Sequence, residues 1–151
     1  MRLLDAGSES DRLWALDYVS EAGLQSSMPS LTASLEDHAE SAQLRLMMLG
    51  TLARFNDPAA IAPLSSALRA DPAPEVRSPC AQAPGRISHV TPVQGLAAAA
   101  PDESDSSVRI EIVHALARYG AAACDALWRI ARRDPDYSVR TLGPLSFDSD
   151  G

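Results

Sequence analysis

Lysine is absent from this 151-residue chain: all 13 basic residues are arginine, against 20 acids, for a formal net charge of −7 and an isoelectric point near 4.8. The abundance of Ala, Pro and Arg beside that gap points to a GC-rich coding bias as its source. An acidic balance of this size argues against nucleic acid and against anionic membranes as general partners. Aromatic residues make up only 5% of the chain, so Ala and Leu must fill the core, which suits close-packed helices better than sheets. Cysteine is scarce. Cys80 and Cys124 lack CxxC spacing and read as core thiols, neither a disulfide nor a metal site. No run approaches the ~18 apolar residues of a membrane-spanning helix, and the opening MRLLDAGSESDR has no apolar stretch of secretory-leader length. The expectation is a cytoplasmic protein. HExxH, GxSxG, P-loop and GxGxxG elements are all missing, which leaves enzyme chemistry without a foothold.

What is present is a period. Leu44-Arg45, Val76-Arg77, Val108-Arg109 and Val139-Arg140 repeat one dipeptide, their arginines 32, 32 and 31 residues apart, and Arg12 extends the series backwards by 33. Such a period means one supersecondary unit stacked on itself, each covering its neighbour's apolar face. Aligned on the arginines, Ile61/Val93/Cys124, Leu64/Leu96/Leu127 and Leu68/Ala100/Ala131 fall into columns, the i, i+3, i+7 stripe of a short helix A. Asp71, Glu103 and Asp134 follow, each six residues before its arginine, with Pro72 and Pro135 directly after two of them. That is a stop-and-turn signal. A second helix, B, carries the columns Leu44/Val76/Val108/Val139, Met48/Cys80/Ile112 and Phe55/Ile87/Tyr119. Ser41 and the Ser106-Ser107 pair offer N-terminal caps. A first B helix is expected from about Ser10 to Ala22. His38, His89 and His114 occupy unrelated positions in the unit, so they form no symmetric ligand set.

The stretch NDPAAIAPLSSALRADPAPEVRSPCAQAPGRI, with its Asp-Pro, Ile-x-Pro-Leu, Asp-Pro, Val-Arg and Gly-x-Ile elements, resembles a HEAT repeat, in particular the short HEAT-like kind of phycobilisome lyase subunits. PDESDSSVRIEIVHALARYG and ALWRIARRDPDYSVR repeat the pattern, so the resemblance covers residues 28 to 142. It implies an all-α, right-handed solenoid of about four helical hairpins with incomplete terminal units, spanning residues 1–142, and a short acidic tail over 143–151. It also implies that Asp71–Arg77, Glu103–Arg109 and Asp134–Arg140 form a ladder between stacked units, the arginine fork bonding acids and turn carbonyls. Arginine suits that task because its planar fork serves several acceptors while its stem packs on apolar surface.

The array departs from its pattern in two places. Pro79 and Pro84 fall inside a B helix, where an interior proline costs about 3 kcal/mol or more, and a kinked or broken helix is expected there. Gly143-Pro144 should stop the last B helix early. The ends look truncated against a solenoid's need for polar terminal faces, and the expectation is a small protein whose ends are covered by association or by Trp14, Leu145 and Phe147.

In arrays of this type the B helices line the concave face. Leu13, Leu46 and Ile110 lie in one non-core column there, Trp14 and Met47 beside it, His114 and a row of Arg54, Arg86 and Arg118 beyond. An apolar strip edged by arginines would suit another protein's helix or peptide, one carrying acids. Packing between neighbouring B helices would equally bury the same aliphatics. The expected function is a non-catalytic protein-binding scaffold without a cofactor. Two alternatives stay open: a bilin lyase-like subunit, with arginines on the propionates and His114 near the chromophore, and a structural subunit that self-associates through its ends.

Overall fold

The structure, a computed structural model, describes residues 7–36, 40–83, 87 and 93–145. Among them are nine α-helices and no strand: α1 Glu9–Glu21, α2 Met28–Glu36, α3 Ala42–Arg54, α4 Ile61–Ala70, α5 Pro74–Gln82, α6 Val93–Ala99, α7 Ser106–Ala117, α8 Cys124–Arg133 and α9 Tyr137–Leu145. Helix α1 is a leading B helix. Four A–B hairpins follow it, α2–α3, α4–α5, α6–α7 and α8–α9, in the order the 32-residue period requires.

The aligned columns are the core. Leu44, Val76, Val108 and Val139 are buried, as are Met48, Cys80 and Ile112, and Leu64, Leu96 and Leu127. Each fully buried aliphatic side chain contributes about 2 kcal/mol. The B helices pack in series, α1 on α3, α3 on α5, α5 on α7 and α7 on α9, and more extensively than α4 on α6 or α6 on α8. Clefts open at three seams between A helices. Close B packing and splayed A helices put the B layer on the inner side of the curve. The result is an all-α solenoid.

Local chemistry sets the joints. Ser8 and Asp11 form a reciprocal capping box at the start of α1, and Ser41 accepts from the Leu44 amide at the start of α3. At α7 the cap is Asp105, which accepts from the amides of Ser107 and Val108; it displaces the serine pair from the capping role because its carboxylate stands one residue earlier and is the stronger acceptor. Gly23, Asn56 and Gly120 share one column just past the ends of α1, α3 and α7, with φ of 62°, 52° and 51°. A left-handed residue there reverses the chain into the 3₁₀ turn that opens the next A helix.

Two expectations need correction. Helix α5 runs continuously through Pro79 to Gln82. The lost amide would have faced the Glu75 carbonyl, and both residues lie on the exposed side, where water can serve that carbonyl. The helix is nonetheless shorter than α3 or α7. Helix α9 continues through Gly143 and Pro144 to Leu145, because neither residue breaks a helix that is already ending. Pro84 lies outside the described residues.

Candidate binding surface

The repeat arginines are structural, and their pairing is shifted by one unit from expectation. Arg45 donates through Nε and Nη2 to Asp71 at 2.7 and 2.9 Å, Arg77 to Glu103 at 2.7 and 2.8 Å, and Arg109 to Asp134 at 2.8 and 3.1 Å. Each acid thus belongs to the following hairpin. Within a hairpin the arginine reaches only backbone: Arg77 Nη1 donates to the carbonyls of Asp71 and Pro72, Arg109 Nη1 to those of Glu103 and Ser104, and Arg140 Nη1 to those of Asp134 and Pro135. The six-residue spacing therefore gives a carbonyl contact, and the bidentate ion pair spans 25 or 26 residues. Each acid also accepts from the amide two residues ahead, Ala73, Asp105 or Asp136, and so fixes the turn into the B helix.

Arg12 pairs with Glu40 through Nη1, leaving its buried Nε without a partner among the described residues. At the other end, no carboxylate among the described residues pairs with Arg140, whose guanidinium lies 5.7 Å from the Tyr137 ring. Burial alone would raise the Glu103 carboxyl, but hydrogen bonds from Arg77 and the Asp105 amide, with the charge of Arg77, hold it below its ordinary range. The bond to Asp71 raises Arg45, and the bond to Glu103 raises Arg77. Of five N–H donors each, Arg77 and Arg109 commit four and Arg45 three to the joint, so most of each buried fork is spent on stacking.

The inner face is what remains for recognition. Leu13, Leu46, Met47 and Ile110 are half-buried and pack against the core between neighbouring B helices. Arg54, Arg118 and His114 are exposed; Arg86 lies outside the described residues. His114 sits 3.8 Å from Glu111, which accepts from Gln82 at 2.6 Å across the α5–α7 seam. Between α3 and α5 a cleft of about 230 Å³ opens over Leu49, Ala53, Leu64 and Ala83, with Gly50, Pro79 and Gln82 along its sides and Arg54 at its rim.

Trp14 is 70% exposed and stacks on Tyr18, their ring centroids 6.2 Å apart. Sequence reasoning did not single out Tyr18. Its column continues as Thr51, Ala83 and Ala115, all buried. Those positions flank the preceding B helix, the side opposite the repeat arginine's acid. Tyr18 thus places a ring in a column that later units fill with small residues, while Trp14 shares its column with Met47, Pro79 and Glu111. An aromatic in a column of small ones was the available signal. Trp128, 47% exposed, lies under the Arg132 guanidinium at 5.8 Å.

Cys80 is buried, and burial pushes its thiol up to about 12; Cys124 is half-buried, and both are free. Among the described residues no three His, Cys, Asp or Glu side chains gather as a metal site, and no helix is long and apolar enough to cross a membrane. His38 and His89 lie outside the described residues.

A sequence profile of HEAT repeats matches residues 2–85 and 61–143. No curated protein matches the chain, so the narrower resemblance to phycobilisome lyase subunits has no relative to support it.

Proposed function

The chain belongs to the HEAT-repeat family, and from that premise we propose that it is a non-catalytic scaffold that binds another protein along the face of its B helices. The observation that carries this reading is the α3–α5 cleft with Arg54 at its rim. It joins an apolar floor to a cation on the layer whose helices pack most closely from unit to unit. A volume of about 230 Å³ is below the ~300 Å³ at which pockets begin to enclose a whole small molecule, so it suits a side chain of a docked peptide. Arg54 and Arg118 favour a partner carrying acids, and the exposed Trp14–Tyr18 pair offers the large rigid contact area on which protein interfaces rely. Leu13, Leu46, Met47 and Ile110 support that face from below, and His114 borders it.

Truncation tests the reading. Trp14→Ala should weaken partner binding by about 2 kcal/mol or more if the ring is a true anchor, and Arg54→Ser or Arg118→Ser by less. If Trp14→Ala and Ile110→Ala leave binding intact while unfolding the protein, those residues are core and the face is misassigned. The bilin-handling alternative would place propionates on Arg54 or Arg118 near His114; the small cleft disfavours it, and an unshifted bilin absorption band on mixing would dispose of it.

A further inference from the structure

The solenoid contains its own control for what the fold requires. Three seams between A helices, α2–α4, α4–α6 and α6–α8, make the same kind of joint, so a side chain present in only one of them, at an exposed column, is not demanded by stacking. The α6–α8 seam has two such residues. Arg129 stands in the column of Ser66 and Ala98, and Arg133 in that of Ala70 and Asp102. Both arginines are exposed, and neither makes an ion pair with any described residue. They border a cleft of about 230 Å³ whose floor is Ala97, Ala100, Ala126 and Ile130.

From this juxtaposition we propose that the α6–α8 seam is a second docking site, on the outer face, for an acidic peptide segment that inserts an aliphatic side chain. The charge around it settles the sign. Glu103 and Asp134 at its edge are neutralised by Arg77 and Arg109. Asp125 stands one turn before Arg129 on α8 without forming an ion pair with it, and Arg132 adds a third cation beside them. This rim is therefore net positive on a chain of net charge −7. Arg129 and Arg133 lie one helical turn apart on α8, roughly 6 Å between Cβ atoms, a spacing that meets two carboxylates. The floor is made only of small or aliphatic side chains, which stay dry against an aliphatic group and offer a purely ionic ligand nothing. The site does not depend on the B-face reading, because it lies on the opposite layer.

The test uses the full chain and a fluorescein-labelled ten-residue peptide alternating leucine with glutamate, followed by anisotropy, beside the same peptide with lysine in place of glutamate. The acidic peptide should bind, weaken as salt is raised, and lose roughly tenfold in affinity in the double variant Arg129→Ser, Arg133→Ala, which installs the residues of the α4 unit. Ala97→Phe, which fills the cleft without altering charge, should abolish the binding that remains in an Arg54→Ser background, where the α3–α5 cleft has lost its cation. Unchanged helicity verifies that each variant folds. Binding unaffected by the arginine substitutions, or lost in Arg54→Ser instead, would overturn the proposal. So would binding to vesicles of anionic phospholipid through the same arginines with none to the peptide. Peptide binding seen only in a variant ending at Leu145 would assign the cleft to the chain's own acidic tail, and would overturn it too.

Discussion

Replacing Arg109 by alanine removes two charge-assisted bonds to Asp134 and two to the carbonyls of Glu103 and Ser104. The side chains of Arg109 and Asp134 are 7% and 5% exposed, so the carboxylate left behind is out of water and uncompensated. Breaking a buried pair from one side costs about 3–5 kcal/mol, a large share of the ~5–15 kcal/mol that holds a small domain together. Arg140 is the internal control. It stands in the same column and makes the same pair of carbonyl bonds, but pairs with no carboxylate among the described residues. Arg140→Ala should therefore cost about 1–2 kcal/mol. Urea unfolding followed by helicity and by tryptophan fluorescence gives both values, and coincident transitions would license the two-state treatment. The double variant Arg109→Ala, Asp134→Ala should be more stable than Arg109→Ala alone, because it no longer buries a lone charge. Equal losses for Arg109→Ala and Arg140→Ala, with no coupling in the cycle, would refute the claim that carboxylate pairing between units carries the energy.

Three further outcomes follow from local geometry. Gly23→Ala and Gly120→Ala should each cost about 1 kcal/mol, since both sit at positive φ with nothing within 4 Å of an added Cβ and the penalty is purely backbone; Gly50→Ala, in the middle of α3 and equally uncrowded, should stabilise by about 0.5–1 kcal/mol, all three read as shifts in urea midpoint. In thiol titration at neutral pH the half-buried Cys124 should react first. Cys80, buried and held protonated by a pKa near 12, should react only as the protein unfolds. Glu103 ionises more readily in the native state than when unfolded, so the stability it lends is complete above its unfolded value, about 4.3, and is lost as pH falls through its lower native value. Unfolding free energy measured against pH should drop in that acid range, and Glu103→Gln should flatten the drop.

The period was legible because stacking imposes the same burial on every unit, so aligned columns report the core directly. Leu64, Leu96 and Leu127 could be named as core from spacing alone. The ladder was legible as a set of residues but not as a set of pairs. Each arginine has an acid six residues behind and another 25 or 26 ahead, and only the stacking of hairpins decides that the carboxylate comes from ahead and the carbonyl from behind. Pro79 misled because propensity prices a lost hydrogen bond as though it were buried, and the Glu75 carbonyl is on an exposed face. Arg54, Arg118 and His114 are exposed, as side chains beyond the packed columns of a B helix are. The burial of Leu46 and Ile110 between B helices depends on interhelical distance, which no single helix encodes. Arg129 and Arg133 stood in view in the alignment, but only the cleft beside them gives those columns a meaning.

The scaffold reading rests on the B face being the recognition surface, and amide chemical-shift mapping tests it most directly. Peptides selected from a random displayed library against the intact protein would be titrated into isotope-labelled chain. The account predicts shifts centred on α3 and α5 around Gly50, Arg54 and Gln82, extending towards Trp14 and His114. Shifts confined to the A helices, or no peptide enriched at all, would contradict it.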